Sequence, residues 1–240
     1  MSTSTNTGHA KNVTNFEILI SNITALDVAY NPSKEALTLP ALNAKLTASK
    51  DALTAVNAVE PAYENAVDDR MAAFKSFSKL ITRVNSAVKV SDVSDEFQAS
   101  VLTLVRLLQG RRAKAIKEDD PEENHISASH MSYDNRIENF DKLIKLLESD
   151  PGYAPNEPML QTAALTELYN NFVTLNTEVI TSEVPLNNAR IERNNILYAV
   201  NTGLVDIAMD VKMYVKSVFG SLSPQYKAIS GLRFSTPKRN

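Results

Sequence analysis

Two stretches of the chain, Leu39–Val88 and Thr162–Val211, carry the same seven-residue apolar repeat, the second displaced from the first by 123 positions. Counting in sevens from Leu39 puts Leu39, Leu46, Leu53, Glu60, Val67, Phe74, Ile81 and Val88 at one seam position. The companion position holds Leu42, Ser49, Val56, Tyr63, Arg70, Phe77 and Val84. Only Ser49, Glu60 and Arg70 are out of character, so the stretch reads as one helix with a coiled-coil-like seam. About 55 residues at roughly 1.5 Å each would span on the order of 80 Å, the dimension of a rod.

Composition sets the outer limits. A chain of 240 residues with 43% apolar side chains can bury a sizeable core as one large or two small domains. Six glycines, few aromatics and no tryptophan favour helices over sheets. The net charge of -3 leaves no nucleic-acid footprint, and the lack of cysteine excludes disulfides, thiolate catalysis and cysteine-ligated metals. The polar start, Met1 to Lys11, is unlike a secretory signal, and no run of about 18 apolar residues occurs. A cytoplasmic protein that does not enter membranes is the expectation.

Along the chain, residues 1–12 read as a disordered leader. Phe16, Leu19, Ile20, Ile23 and Leu26 mark an amphipathic helix ending near Tyr30, before Pro32. Pro61 predicts a kink in the long helix, Ser91–Ser94 a break, and Phe97, Val101, Leu104, Val105 and Leu108 a third, shorter helix. Residues 13–110 thus form a short-long-short repeat, 111–129 a charged connector, 130–233 a second repeat and 234–240 a basic tail. Leu165 repeats Leu42, Glu183 repeats Glu60 and Arg193 repeats Arg70. Tyr153-Ala154-Pro155 echoes Tyr30-Asn31-Pro32, and Pro185 lies one residue from the image of Pro61.

Duplication suggests a pseudo-two-fold arrangement. If the long helices run antiparallel with Glu60 opposite Arg193, symmetry puts Arg70 opposite Glu183, Leu42 opposite Val211, Leu53 opposite Val200, Phe74 opposite Val179 and Ile81 opposite Phe172. Apolar then faces apolar nearly throughout. The expected fold is all-α: an internally duplicated, elongated bundle whose two long, kinked, antiparallel central helices are flanked by short ones, as two four-helix bundles end to end. The competing arrangement folds each half on itself at its proline.

Glu60, Tyr63, Arg70, Glu183, Arg190 and Arg193 are then expected in one central polar layer. Seam charges cost desolvation unless paired, so cross-helix pairs that fix register are the favoured reading, ahead of an anion or small-molecule pocket. His125 and His130 stand five apart, wrong for two ligands on one helical face, and Asp119, Asp120 and Glu122 lack a calcium-loop pattern. No nucleophile motif or phosphate-cradling glycine loop occurs. Neither metal nor cofactor is expected.

The run Ser127-Ala128-Ser129-His130-Met131-Ser132-Tyr133-Asp134-Asn135-Arg136, with Asn139-Phe140-Asp141-Lys142-Leu143-Ile144 and Tyr153-Ala154-Pro155-Asn156-Glu157, resembles a group of uncharacterised helical proteins of Bacteroidota-type bacteria, over roughly residues 127 to 165. That resemblance implies a bacterial origin and brings no activity with it. The leading expectation is a non-enzymatic structural or interaction protein that meets a protein partner or copies of itself. The alternatives are a membrane-active protein built like a helical pore-forming toxin, suggested by the apolar richness of Ile196–Phe219, and a small-ligand or anion binder using the polar layer.

Overall fold

The computed structural model describes residues 6–110 and 131–237. Among them the secondary structure is entirely helical: α1 (Asn6–Thr24), α2 (Leu39–Phe74), α3 (Phe77–Val88), α4 (Asp95–Gln109), α5 (Tyr133–Glu148), α6 (Thr162–Tyr198), α7 (Leu204–Phe219) and α8 (Pro224–Ser230). Short 3-10 turns stand at Asp27–Ala29, Glu35–Leu37 and Pro158–Leu160. Ser94, Ser132 and Ser223 start α4, α5 and α8 alike, each hydroxyl accepting from the backbone N–H three residues on. Gly110 ends α4 in the left-handed conformation, φ 64°.

The seam periodicity locates the buried faces and misjudges the helix lengths. Leu42, Ser49 and Val56 of α2 are buried, as are Leu165, Phe172, Val179, Leu186 and Arg193 of α6 at intervals of seven. The helices, however, end before their seams do. The first is interrupted at Lys75 and Ser76, where Lys75 N–H donates to the Ala72 carbonyl three residues back, and Phe74 and Phe77 both turn inward on either side. The second stops at Tyr198. Asn201 adopts φ 65°, Gly203 N–H bonds the Ala199 carbonyl at 2.7 Å, and Asp206 accepts from Asn201 N–H at 2.8 Å. A Cβ on Gly203 would stand 2.7 Å from the Ala199 backbone, so only glycine fits this turn. Val200, expected opposite Leu53, is consequently 70% exposed. α2 continues through Pro61 and α6 through Pro185, with both prolines on exposed positions.

Two compact units form, and neither coincides with a sequence repeat: one comprises residues up to Ala62 and from Glu183 onward, the other Tyr63–Ser182. Each repeat folded on itself is therefore not what occurs. In the first unit Phe16, Leu19 and Ile23 of α1 share a core with Leu42 and Leu46 of α2, Leu197 of α6, and Leu204, Ile207, Val211 and Val215 of α7. In the second, Phe74, Phe77, Ile81 and Val84 pack with Val101, Val105 and Leu108 of α4, Phe140, Leu143 and Ile144 of α5, and Leu165 and Phe172 of α6.

Each unit contains the same buttress at the entry to a long helix. Tyr30 Oη donates to the Leu37 carbonyl at 2.7 Å, and Tyr153 Oη donates to the Leu160 carbonyl at 2.7 Å. Both rings are buried, which raises the phenol of Tyr153 to about 12 and shifts Tyr30 in the same direction, with burial the first cause in each.

The ends of the chain depart from expectation. The leader is helical from Asn6, and His9 and Asn12 are buried rather than disordered. The residues after α8 are docked: Leu232 and Phe234 pack against the first core, while Lys212 Nζ donates to the Ser230 and Leu232 carbonyls at 2.9 Å each. The connector 111–129, with Asp119, Asp120, Glu122 and His125, and also His130, lies outside the described residues.

Candidate functional site

The six residues expected in one polar layer fall into separate settings. Glu60, Glu183, Arg190 and Arg193 belong to the first unit; Tyr63 and Arg70 belong to the second. Glu60 Oε1 pairs with Arg190 Nη2 at 3.0 Å, and its carboxylate also favours the charged form of Arg193, the expected partner, three positions on. Both side chains keep substantial solvent access, so the pair contributes on the order of 1 kcal/mol or less. Glu183 is exposed and accepts from Asn187 of its own helix at 3.5 Å.

Arg193 lies deeper, 6% exposed, with Nε and Nη2 donating to Asn194 Oδ1 at 3.2 and 3.0 Å. Burial lowers its proton affinity, with Tyr198 as the next influence in the opposite sense. Nearby stand His9 and Asn12 of α1, whose spacing extends the inward face of Val13, Phe16 and Leu19 by one turn. His9 Nδ1 is 2.6 Å from Tyr198 Oη, and Asn12 Nδ2 reaches the same oxygen at 3.3 Å. These contacts are satisfied together when Tyr198 donates to His9 and accepts from Asn12. Burial, and then Arg193, lower the His9 pKa to about 4, keeping the imidazole neutral at neutral pH. Asn12 completes its bonding with the segment after α8, donating to the Ser235 carbonyl at 2.7 Å and accepting from Ser235 N–H at 3.0 Å.

In the second unit, the Arg70 guanidinium lies 4.0 Å from the centre of the Tyr133 ring and donates through Nη1 to Asn176 Oδ1 at 2.8 Å. Asn176 is seven positions before Glu183, the partner expected for Arg70. Its Nδ2 passes the chain on to Asp134 Oδ1 at 2.8 Å. Beside it Phe74 stacks on Phe172 with centroids 3.9 Å apart, again seven positions before the expected Val179. The seam has therefore slipped by one heptad in this unit. Such a slip still matches apolar with apolar, and the cluster of Phe74, Phe77, Phe140 and Phe172 selects it through several edge-on and stacked ring contacts. Arg136 lies over Phe74 and Phe77 at 4.8 and 5.1 Å. The buried Nε atoms of Arg70 and Arg136 have no hydrogen-bond partner, as expected for guanidinium planes set against rings. Tyr63 is half-buried and makes no side-chain hydrogen bond to another described residue.

Chemically, these are ties between helices and along α6. The imidazole nitrogen aimed at Tyr198 is occupied, and each guanidinium with a resolved contact faces an amide, a carboxylate or a ring. The concave surface is elsewhere. A groove of about 550 Å³ runs between α3 and the loop before α6, lined by Arg83, Ser86, Val90, Gly152, Asn156 and Glu157. Smaller ones lie between α5 and α6 (about 280 Å³) and between α1 and α8 (about 240 Å³). Among the described residues no group of three or more His, Asp or Glu could hold a metal, and no helix is long and apolar enough to cross a membrane. Sequence reasoning missed His9, Asn12, Tyr133, Arg136 and Asn176; the helical spacing of His9 and Asn12 to Phe16 was the available signal. Comparison with protein-family models, with curated proteins and with solved structures finds no match to this chain.

Proposed function

We propose that this is a non-enzymatic structural or interaction protein, a bacterial cytoplasmic helical scaffold that works through the outer faces of its helices. The observation that carries the reading is the outward face of α6, where Val173, Ile180, Val184 and Ile191 stand 37–59% exposed. A helix already buried along one seam gains nothing in stability from a second apolar row in water, and such rows mark contact surfaces. The test places a photo-crosslinking residue at position 180, on this face, and at position 57, an exposed site of α2, in cells of origin. Adducts of defined mass at 180 and none at 57 are expected. No adduct at any outward position of α6 would remove the basis for the reading.

The same reading includes an internal duplication with two four-helix bundles that share the long helices. Its support is positional. The 3-10 turns Glu35–Leu37 and Pro158–Leu160 are 123 positions apart, as are the first residues of α2 and α6 and the two buttressing tyrosines. Each compact unit also draws short helices and part of both long helices, the composition such bundles need. Bends at Pro61 and Pro185 and an elongated form belong to this proposal, and small-angle scattering checks the latter.

A further inference from the structure

We propose that the face formed by α1 and α7 is a docking site for an extended partner peptide of the pattern apolar-x-apolar, and that residues 232–235 occupy it as an internal competitor. In the second unit the helix begun by Ser94 runs for 15 residues and covers its core with Val101, Val105 and Leu108. In the first, the helix begun by Ser223 stops after seven residues, and the segment Leu232-Arg233-Phe234-Ser235 takes over. Leu232 and Phe234 pack against the first core while Arg233 and Ser235 are exposed, the alternation of an extended chain. Among the described residues, every hydrogen bond to Arg233 and Ser235 goes to the backbone. Asn15 Nδ2 donates to the Arg233 carbonyl at 2.7 Å, and Asn12 both donates to the Ser235 carbonyl and accepts from the Ser235 N–H. Lys212 of α7 meets the Ser230 and Leu232 carbonyls. Asn12 and Asn15 are three apart, so one face of α1 presents both amides. Recognition of this kind draws affinity from main-chain bonds and selectivity from alternate apolar side chains, and leaves the intervening residues open.

The occupant is held less firmly than the face that holds it. Beyond the Leu232 N–H bond to the Ile229 carbonyl, residues 232–235 make no backbone–backbone hydrogen bond among the described residues, and Leu232 and Phe234 are only partly buried. Such a segment opens at low cost. Asn12 is buried and fixed from behind by Tyr198, which His9 holds in turn. A preorganised receptor with a loosely held occupant suits exchange. The site shares no residue with the outward face of α6 and does not depend on it.

The test uses the full chain with Thr236→Cys carrying an environment-sensitive dye, the chain having no other cysteine. Two peptides are added separately: residues 230–237, and a version that keeps only the leucine and phenylalanine with every other position changed. Both should release the labelled segment in a saturable way, and a peptide with aspartate at the two apolar positions should not. Ser235→Pro removes the amide that donates to Asn12 and leaves the core untouched, so it should tighten peptide binding about threefold to tenfold with unchanged helix content by circular dichroism. A peptide with a photoreactive residue in place of the phenylalanine should label α1 or α7. No release at millimolar peptide, equal release by the aspartate peptide, or labelling away from α1 and α7 overturns the proposal. So does dimerisation that requires Phe234 without any response to peptide, which would assign the face to a second copy.

Discussion

At the scale of single residues, close backbone approaches and buried polar groups set the tolerances. A Cβ on Gly152 would come within 2.0 Å of the Asp92 carbonyl oxygen, where the turn after α3 rests on the loop leaving α5. Gly152→Ala should cost about 1–3 kcal/mol in urea denaturation through this overlap. Gly231→Ala, with open space around it and an ordinary φ of -76°, should raise stability by about 0.4–1 kcal/mol in the same measurement, because alanine restricts the unfolded chain. His9 supplies a pH dependence. Unfolded, it takes up a proton near 6.5; folded, it resists until about 4. The unfolded state thus binds more protons between those values, and stability falls as pH drops through that window. At about 1.4 kcal/mol per unit the upper bound at pH 5 is about 2 kcal/mol, and the part of the acid slope due to this side chain should vanish in His9→Phe. His9 and Asn12 were open to sequence reading because they continue the spacing of α1. They were passed over because polar residues near a terminus look like a solvated leader. Only the fold brings Tyr198 and Ser235 to them.

At the scale of elements, local stop signals outweighed the long-range seam. The heptad count runs on to Val211, yet Asn201-Thr202-Gly203 ends α6, because asparagine and glycine take backbone angles no helix uses. The caps at Ser94 and the end of α4 at Gly110 were legible for the same local reason. The prolines lie inside the helices: Pro61, expected to mark a kink, sits within α2 on an exposed position. Pro61→Ala restores a backbone donor inside α2, so it should raise stability, by up to about 3 kcal/mol in thermal or urea unfolding. Loss of stability in that variant would mean that the proline's geometry is required. The slip of one heptad at Phe74 and Phe172 could not be read from the repeat, because every seventh residue presents the same chemistry. The choice lay with the ring contacts.

At the scale of the whole molecule, each compact unit is assembled from both halves of the chain. A chain divided within residues 111–130 should therefore give two fragments with little cooperative structure by circular dichroism, and mixing them in equal amounts should restore a single folded species. Independent folding of either fragment would contradict the shared cores. The seven-residue pattern and sparse glycine, by themselves, determined an all-helical protein and which face of each long helix is buried, since that information is local and periodic. The periodicity located the buried face of α2 and α6, but not where those helices end, nor which residues pair in the second unit. Which residues meet across helices was decided by the tertiary structure: Glu60 with Arg190 and, through its charge, with Arg193, Arg70 with Asn176 and Tyr133, and His9 with Tyr198, 189 positions away. A repeat of period seven allows several pairings of nearly equal apolar match, and side-chain packing and buried hydrogen bonds, which only the folded chain creates, choose among them.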